Sequence, residues 1–125
     1  MLKEVTVKQL KGKRFYKKNK VQFVMFYGST CGPCKATMPT YEEVANFFVE
    51  RGANIEFYKF NAWEPEEHLT YGRDDMNVKG VPTFLAFYEG EEVFRESGAA
   101  ADKEIMHKRI HSVVDKLFKE KNIKI

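Results

Sequence analysis

Cys31 and Cys34 are the only two cysteines in a chain of 125 residues, and they stand three positions apart in Cys31-Gly32-Pro33-Cys34. Two thiols at that spacing suit reversible redox chemistry. One attacks a disulfide as its thiolate, and the other then displaces it from the mixed disulfide. The same spacing also serves as half of a zinc site. What surrounds the pair decides between these chemistries. Val21 to Tyr27 is a β-branched and aromatic run that predicts a strand, Gly28-Ser29-Thr30 breaks it, and Met38, Tyr41, Ala45 and Phe48 then recur at helical spacing. The cysteines therefore open a helix. Unpaired amide groups and the dipole at a helix N-terminus stabilise an anion, which singles out Cys31 as the nucleophile. Pro33 fits the first helical turn, where a missing N–H costs nothing, and its fixed φ stiffens the link between the sulfurs. Residues three apart on a helix have Cα atoms about 5 Å apart, within the span a disulfide tolerates, so the pair can open and close without rebuilding the backbone.

The elements that must position this pair read as β, α, β, α, β, α, β, β, α along the chain. A short strand is expected over Leu2 to Val7, then a basic helix around Lys8 to Lys18, and then the strand from Val21 to Tyr27. The second helix should run from Cys34 to about Arg51 with a kink at Pro39 and end at Gly52-Ala53-Asn54. Ile55 to Asn61 reads as a strand, and Pro65 to about Tyr71 as a short helix leading into a loop through Gly72 and Asn77. Thr83 to Tyr88 and Glu92 to Ser97 read as a hairpin around Glu89-Gly90-Glu91. Asp102 starts a last helix, in which Met106, Ile110, Val113, Val114 and Leu117 form one apolar face.

The motifs together resemble the thioredoxin family. Phe26-Tyr27-Gly28-Ser29-Thr30-Cys31-Gly32-Pro33-Cys34-Lys35, with Pro39 one turn on, is similar to that family's active site, and Gly80-Val81-Pro82-Thr83 is similar to its cis-proline loop. The resemblance implies an α/β fold with a central mixed β-sheet flanked by helices on both faces, formed as one domain over residues 1–125. It implies that Pro82 is cis and faces Cys31, leaving the backbone of Val81 free to pair with an extended substrate segment. Gly98 lies where the family has a glycine lining the substrate groove, though a plain loop glycine would also suit that position. Lys59 aligns with a lysine that approaches the family's buried active-site acid, and otherwise reads as a strand lysine reaching for water.

That acid is missing. The family carries an aspartate six residues before the nucleophile, and Met25 stands there. Alternation puts Met25 on the face of Phe23 and Tyr27, beneath the active-site helix. Cys34 then lacks its usual proton acceptor, so resolution of the mixed disulfide should be slower, with Lys59 or water taking the proton. Losing a buried carboxylate should also stabilise the fold, lower the thiol pKa values and make the couple more oxidising. Tyr27 and Thr30 stand where the family favours tryptophan, and Thr30 leaves a smaller, more polar rim beside Cys31. The lone Trp63 reads as a half-buried loop residue.

Composition fits a single globular core, with 43% hydrophobic and 14% aromatic residues. No leader or membrane-length apolar segment is read, so a soluble cytoplasmic protein is expected, where a CxxC pair is more often catalytic than structural. The first twenty residues hold Lys3, Lys8, Lys11, Lys13, Arg14, Lys17, Lys18 and Lys20 against only Glu4, which reads as a solvated face rather than a nucleic-acid surface. Glu64, Glu66, Glu67, Asp74 and Asp75 read as surface charge. His107 and His111 have i, i+4 spacing, but no third ligand stands at suitable spacing, and recruiting the cysteines would consume the nucleophile. The expected function is a protein-disulfide reductase in which Cys31 attacks and Cys34 resolves. It would be a monomer with no bound cofactor, regenerated by a thioredoxin reductase or another dithiol donor. The alternative is a binding module that uses the same groove as a scaffold within a larger complex.

Overall fold

The computed structural model describes residues 2–125. One five-stranded sheet runs through it in the order β1-β3-β2-β4-β5, formed by β1 (Lys3–Glu4), β2 (Val21–Tyr27), β3 (Ile55–Asn61), β4 (Thr83–Tyr88) and β5 (Glu91–Ser97). β1, β3 and β2 are mutually parallel, whereas β4 is antiparallel to β2 and β5 to β4. The sheet is therefore mixed, as the resemblance implied. β2 pairs along its full length with β3, Val21 opposite Ile55 and Tyr27 opposite Asn61. With β4 on its other side, it is buried on both faces from Val21 to Phe26. That double burial is why its sequence is a continuous apolar run rather than an alternating one.

Two helices of 19 residues each, α2 (Gly32–Glu50) and α4 (Lys103–Lys121), cover one face. Phe23 of β2 lies among Phe57, Phe84 and Tyr41, with ring centroids 5.8, 5.9 and 6.0 Å away. Tyr41 is fully buried and its hydroxyl lies 2.8 Å from the Tyr58 carbonyl and 3.1 Å from that of Phe23. Burial raises its pKa well above 10, because a phenolate there would lose its hydration. On α4 the anticipated apolar face is formed by Met106, Ile110, Val113 and Leu117, all buried, with Val114 at its edge. Each such side chain contributes roughly 1.5–3 kcal/mol by leaving water.

The other face is covered by short pieces: α1 (Val7–Lys11), a 3₁₀ turn (Lys13–Phe15), α3 (Glu66–Thr70) and a π-helical turn (Tyr71–Asp75). Here the structure departs from the expected elements. The first strand stops at Glu4 because Thr6 caps α1: its hydroxyl accepts the Gln9 N–H while the Gln9 side chain accepts the Thr6 N–H. That reciprocal bond draws Val7 into a helix. The expected basic helix is broken at Gly12, whose backbone is extended, and only one 3₁₀ turn follows. A Cβ on Gly12 would lie 3.2 Å from the Lys8 carbonyl oxygen, so the chain passes closely there. Where a loop was expected through Gly72, the chain continues from α3 into the π turn. The helix opened by the cysteines begins earlier than expected, at Gly32, and runs unbroken through Pro39.

Candidate active site

Cys31 is the N-cap of α2, and its sulfur accepts a hydrogen bond from the Cys34 N–H at 3.2 Å. The two cysteines form a disulfide with Cα atoms 5.2 Å apart, matching the helical spacing. Cys31 is 6% exposed and Cys34 1%, so a partner approaching from solvent meets Cys31 first. Gly32 and Pro33 are exposed between them, and Thr30 is exposed just before. The loop from β2 is held by the Cys31 N–H, which donates to the Gly28 carbonyl at 3.2 Å.

The second wall comes from the segment entering β4. The Val81–Pro82 peptide is cis, and the Val81 carbonyl oxygen lies 3.9 Å from the Cys31 sulfur. The Thr83 hydroxyl donates to the Gly80 carbonyl at 2.6 Å and so closes this loop on itself. The Gly98 N–H donates to the Pro82 carbonyl at 2.9 Å, which brings the turn after β5 against the same loop. Gly98 has φ +112°, a conformation open to glycine and strained for side-chain-bearing residues.

Met25 is fully buried in the cluster that includes both cysteines. In the strand register it lies between Lys59 of β3 and Phe84 of β4. Among the described residues, Lys59 has no carboxylate within ion-pair distance. A cavity of about 240 Å³ beside Cys34 is lined by Tyr27, Gly28, Ser29, Lys35, Met38 and Pro39. Tyr27 donates its hydroxyl proton to Glu4 at 2.7 Å. Burial first, and then this carboxylate, push the phenol above its ordinary value of 10.0.

Sequence reasoning brought together Cys31, Gly32, Pro33, Cys34, Thr30, Val81, Pro82, Gly98 and Met25, but it missed two supports of the site. One is the packing of Trp63 on Gly28: a Cβ at Gly28 would fall 2.3 Å from the indole, so only glycine lets that ring lie on the backbone. Trp63 is 38% exposed, and its loop is fastened by the Asn61 side chain, which accepts the N–H groups of Trp63 and Glu64, and by a bond from Ser29 to Glu64. The other is Arg109, buried on α4 and bonded to the Gly98 carbonyl. Its position three after Met106 and four before Val113 placed it within the apolar stripe, and that was the available signal. His107 is half-buried, because its ring packs against Phe47 and Phe48 at 4.8 and 5.6 Å, and His111 packs on Phe48 at 5.1 Å. Among the described residues, no three His, Cys, Asp or Glu side chains converge as a metal site, and no helix is long and apolar enough to cross a membrane.

Comparison with known proteins fits this geometry. The family model described as Thioredoxin matches residues 4–112. Thioredoxin-2 of Pyricularia oryzae is 35% identical over 87 residues, covering 70% of this chain and 46% of the relative. The matched region therefore spans under half of that relative's length. A thioredoxin H-type from Fagopyrum esculentum is 32% identical over 89 residues, covering 71% of this chain and 69% of the relative. The crystal structure of Malassezia sympodialis thioredoxin shares the fold with a TM-score of 0.70 at 21% identity, over 89% of this chain and 91% of that one. The chain belongs to the thioredoxin family, and Cys31 and Cys34 are its dithiol/disulfide pair.

Proposed function

We propose that the chain acts as a single-domain protein-disulfide reductase, a reading carried by one observation: a Cys31–Cys34 pair at a helix N-terminus, 3.9 Å from the Val81 backbone of a cis-proline loop. The Cys31 thiolate attacks one sulfur of a substrate disulfide, forming a mixed disulfide and releasing the other substrate sulfur as a thiolate that takes up a proton. Cys34 then loses its proton and attacks the Cys31 sulfur, which releases the second substrate thiol and leaves the Cys31–Cys34 disulfide. A thioredoxin reductase or another dithiol donor supplies the two electrons and two protons that restore the pair. Val81, Pro82, Gly98 and Thr30 line the groove in which an extended substrate segment lies, Gly32 and Pro33 hold the spacing of the sulfurs, and no bound cofactor is needed.

Met25 shapes the rate-determining chemistry. With no carboxylate beside Cys34, its proton leaves to water in the adjoining cavity, and the mixed disulfide is long-lived. An apolar neighbour in place of an anion also favours both thiolates, stabilises the reduced form and makes the couple more oxidising. The chain works as a monomer in a reducing compartment such as the cytoplasm, on disulfide-containing proteins and not on nucleic acid.

The test is insulin disulfide reduction driven by dithiothreitol, then by NADPH with a thioredoxin reductase. Cys31→Ser is expected to abolish turnover, and Cys34→Ser to accumulate a covalent mixed disulfide visible by mass spectrometry. A wild-type chain that reduces insulin no faster than dithiothreitol alone would replace this reading with that of a groove-binding scaffold.

A further inference from the structure

Arg109 stands inside the apolar face of α4, between Met106, Ile110 and Val113, none of which is exposed, and is itself only 7% exposed. A cation in such a place is costly unless its contacts repay the lost hydration. One of its contacts reaches the groove, one the core and one the surface. Nη1 donates to the Gly98 carbonyl at 2.6 Å, the guanidinium carbon lies 5.2 Å over the Phe84 ring, and Nε sits 3.9 Å from the half-exposed Glu96 carboxylate without a hydrogen bond. Gly98 is thereby held from both sides, its N–H on the Pro82 carbonyl and its C=O on Arg109. Phe84, the ring beneath the guanidinium, is the register partner of Met25, and both belong to the cluster that contains the two cysteines.

We propose that Arg109 is a positioning residue of the redox site: it fixes Gly98 against the cis-Pro82 loop, and it places a buried positive charge beside the cluster in which Met25 has left no negative one. The reading rests on the reductase function above. Two consequences follow. The groove keeps its shape for an extended substrate only while the Gly98 carbonyl is held, so losing the guanidinium weakens substrate binding more than it slows chemistry. The charge also stabilises the thiolate form of the reduced pair, whereas the disulfide is neutral, so its loss shifts the couple toward the disulfide. Burial lowers the pKa of Arg109 below the usual arginine value, and Glu96 opposes this, but arginine remains a cation at neutral pH.

The experiment compares Arg109→Met and Arg109→Lys with the wild type in two measurements. The first is KM and kcat for insulin reduction at fixed dithiothreitol. The second is the equilibrium of two glutathione thiols plus the Cys31–Cys34 disulfide with oxidised glutathione plus the dithiol. Arg109→Met, keeping near-native near-ultraviolet circular dichroism, is expected to raise KM about tenfold with kcat within about twofold, as loss of a charge-assisted hydrogen bond implies. It should also move the glutathione equilibrium roughly threefold to tenfold toward the disulfide, tenfold being about 30 mV. Arg109→Lys keeps the charge without the fork. It should hold the equilibrium near the wild-type value while recovering only part of KM. A folded Arg109→Met with both quantities within about twofold of wild type would overturn the proposal, because a merely structural residue moves neither. If Arg109→Met does not fold, Arg109→Lys decides alone: raised KM with an unchanged equilibrium supports the proposal, and unchanged KM overturns it. If the wild type fails to reduce insulin, the reductase reading falls, and the glutathione equilibrium still tests the charge.

Discussion

The two faces of the sheet solve the same burial problem differently. On the face under α2 and α4, long helices with regular apolar stripes cover the strands, and the buried Tyr41 hydroxyl and Arg109 Nη1 both have backbone partners. On the other face, four short pieces do the covering, and polar side chains are built into the core itself. His68 is one of them: its ring stacks on Phe60 at 4.5 Å, Nδ1 donates to the Asn61 carbonyl at 2.9 Å, and Nε2 accepts the Val7 N–H at 3.4 Å. That ring ties α1, β3 and α3 together where no long helix does. Gln22 is the other. It is fully buried and, among the described residues, neither amide atom has a hydrogen-bond partner. The redox pair grows from the regular face, where the cluster around Met25 is apolar. Thr37 and Arg109 are buried on the regular face with backbone partners, whereas the Gln22 amide on the second face has none among the described residues.

The largest test of this contrast is Met25→Asp. A carboxylate there enters an apolar cluster, with Lys59 its register neighbour on β3, and burial will raise its pKa. An acid whose folded pKa is raised binds its proton more tightly when folded. The cost is therefore complete above that pKa and disappears as pH falls toward the unfolded value. The expected loss is roughly 2–4 kcal/mol at pH 7, most of it recovered near pH 4, read as the urea midpoint against pH. The same carboxylate should shorten the life of the mixed disulfide by accepting the Cys34 proton. A variant as stable as wild type at pH 7 would mean that water from the cavity beside Cys34 reaches as far as position 25.

Gln22→Met tests the second face, with the opposite sign. The two side chains are close in volume, and the change removes two unpartnered polar atoms. Stability is expected to rise by about 1–2 kcal/mol, as a higher urea midpoint at unchanged slope. A fall would show that a buried water satisfies the amide, and the faces would then differ less than they do.

The same contrast explains what the sequence disclosed. β2 and β4 were legible as continuous apolar runs, β3 as an apolar and aromatic run, and the apolar face of α4 by its helical period. The candidate site was legible because Cys31 and Cys34 stand three apart at a helix start and Pro82 lies in a short recognisable motif. α1 and its neighbours were not: five residues of helix hold little more than one turn of pattern, and the Thr6 to Gln9 cap that ended the first strand is a local signal outweighed by the β-branched run around it. Arg109 and Trp63 were hidden for another reason. What each does depends on a residue far along the chain or across a loop, Gly98 for one and Gly28 for the other, and no local period records such a pairing. Gln22 sat in an apolar run whose double burial became visible only once both neighbouring strands were placed.

The smallest effect lies one strand over from Gln22. Glu56 is its register partner on β3, but lies nearer the edge and has found company: Lys17 donates to one carboxylate oxygen at 2.7 Å and the Tyr58 hydroxyl to the other at 2.8 Å. Burial by itself would raise the carboxyl's pKa, but these two hydrogen bonds outweigh it and hold the group below 4.5. An acid lowered in the folded state contributes stability that is present above its unfolded pKa and is lost as pH falls through the folded one. Because Lys17 is more than half exposed and solvent screens the pair, that contribution is below about 1 kcal/mol. Wild type minus Glu56→Gln should therefore show a small positive difference in unfolding free energy at pH 7 that shrinks toward zero by about pH 3. Taking the difference cancels the titration of every other carboxylate. A difference that stays constant with pH would assign Glu56's contribution to shape rather than charge. Two register partners would then differ only in burial, and not in whether an ionised group at the rim of this face is rewarded by its neighbours.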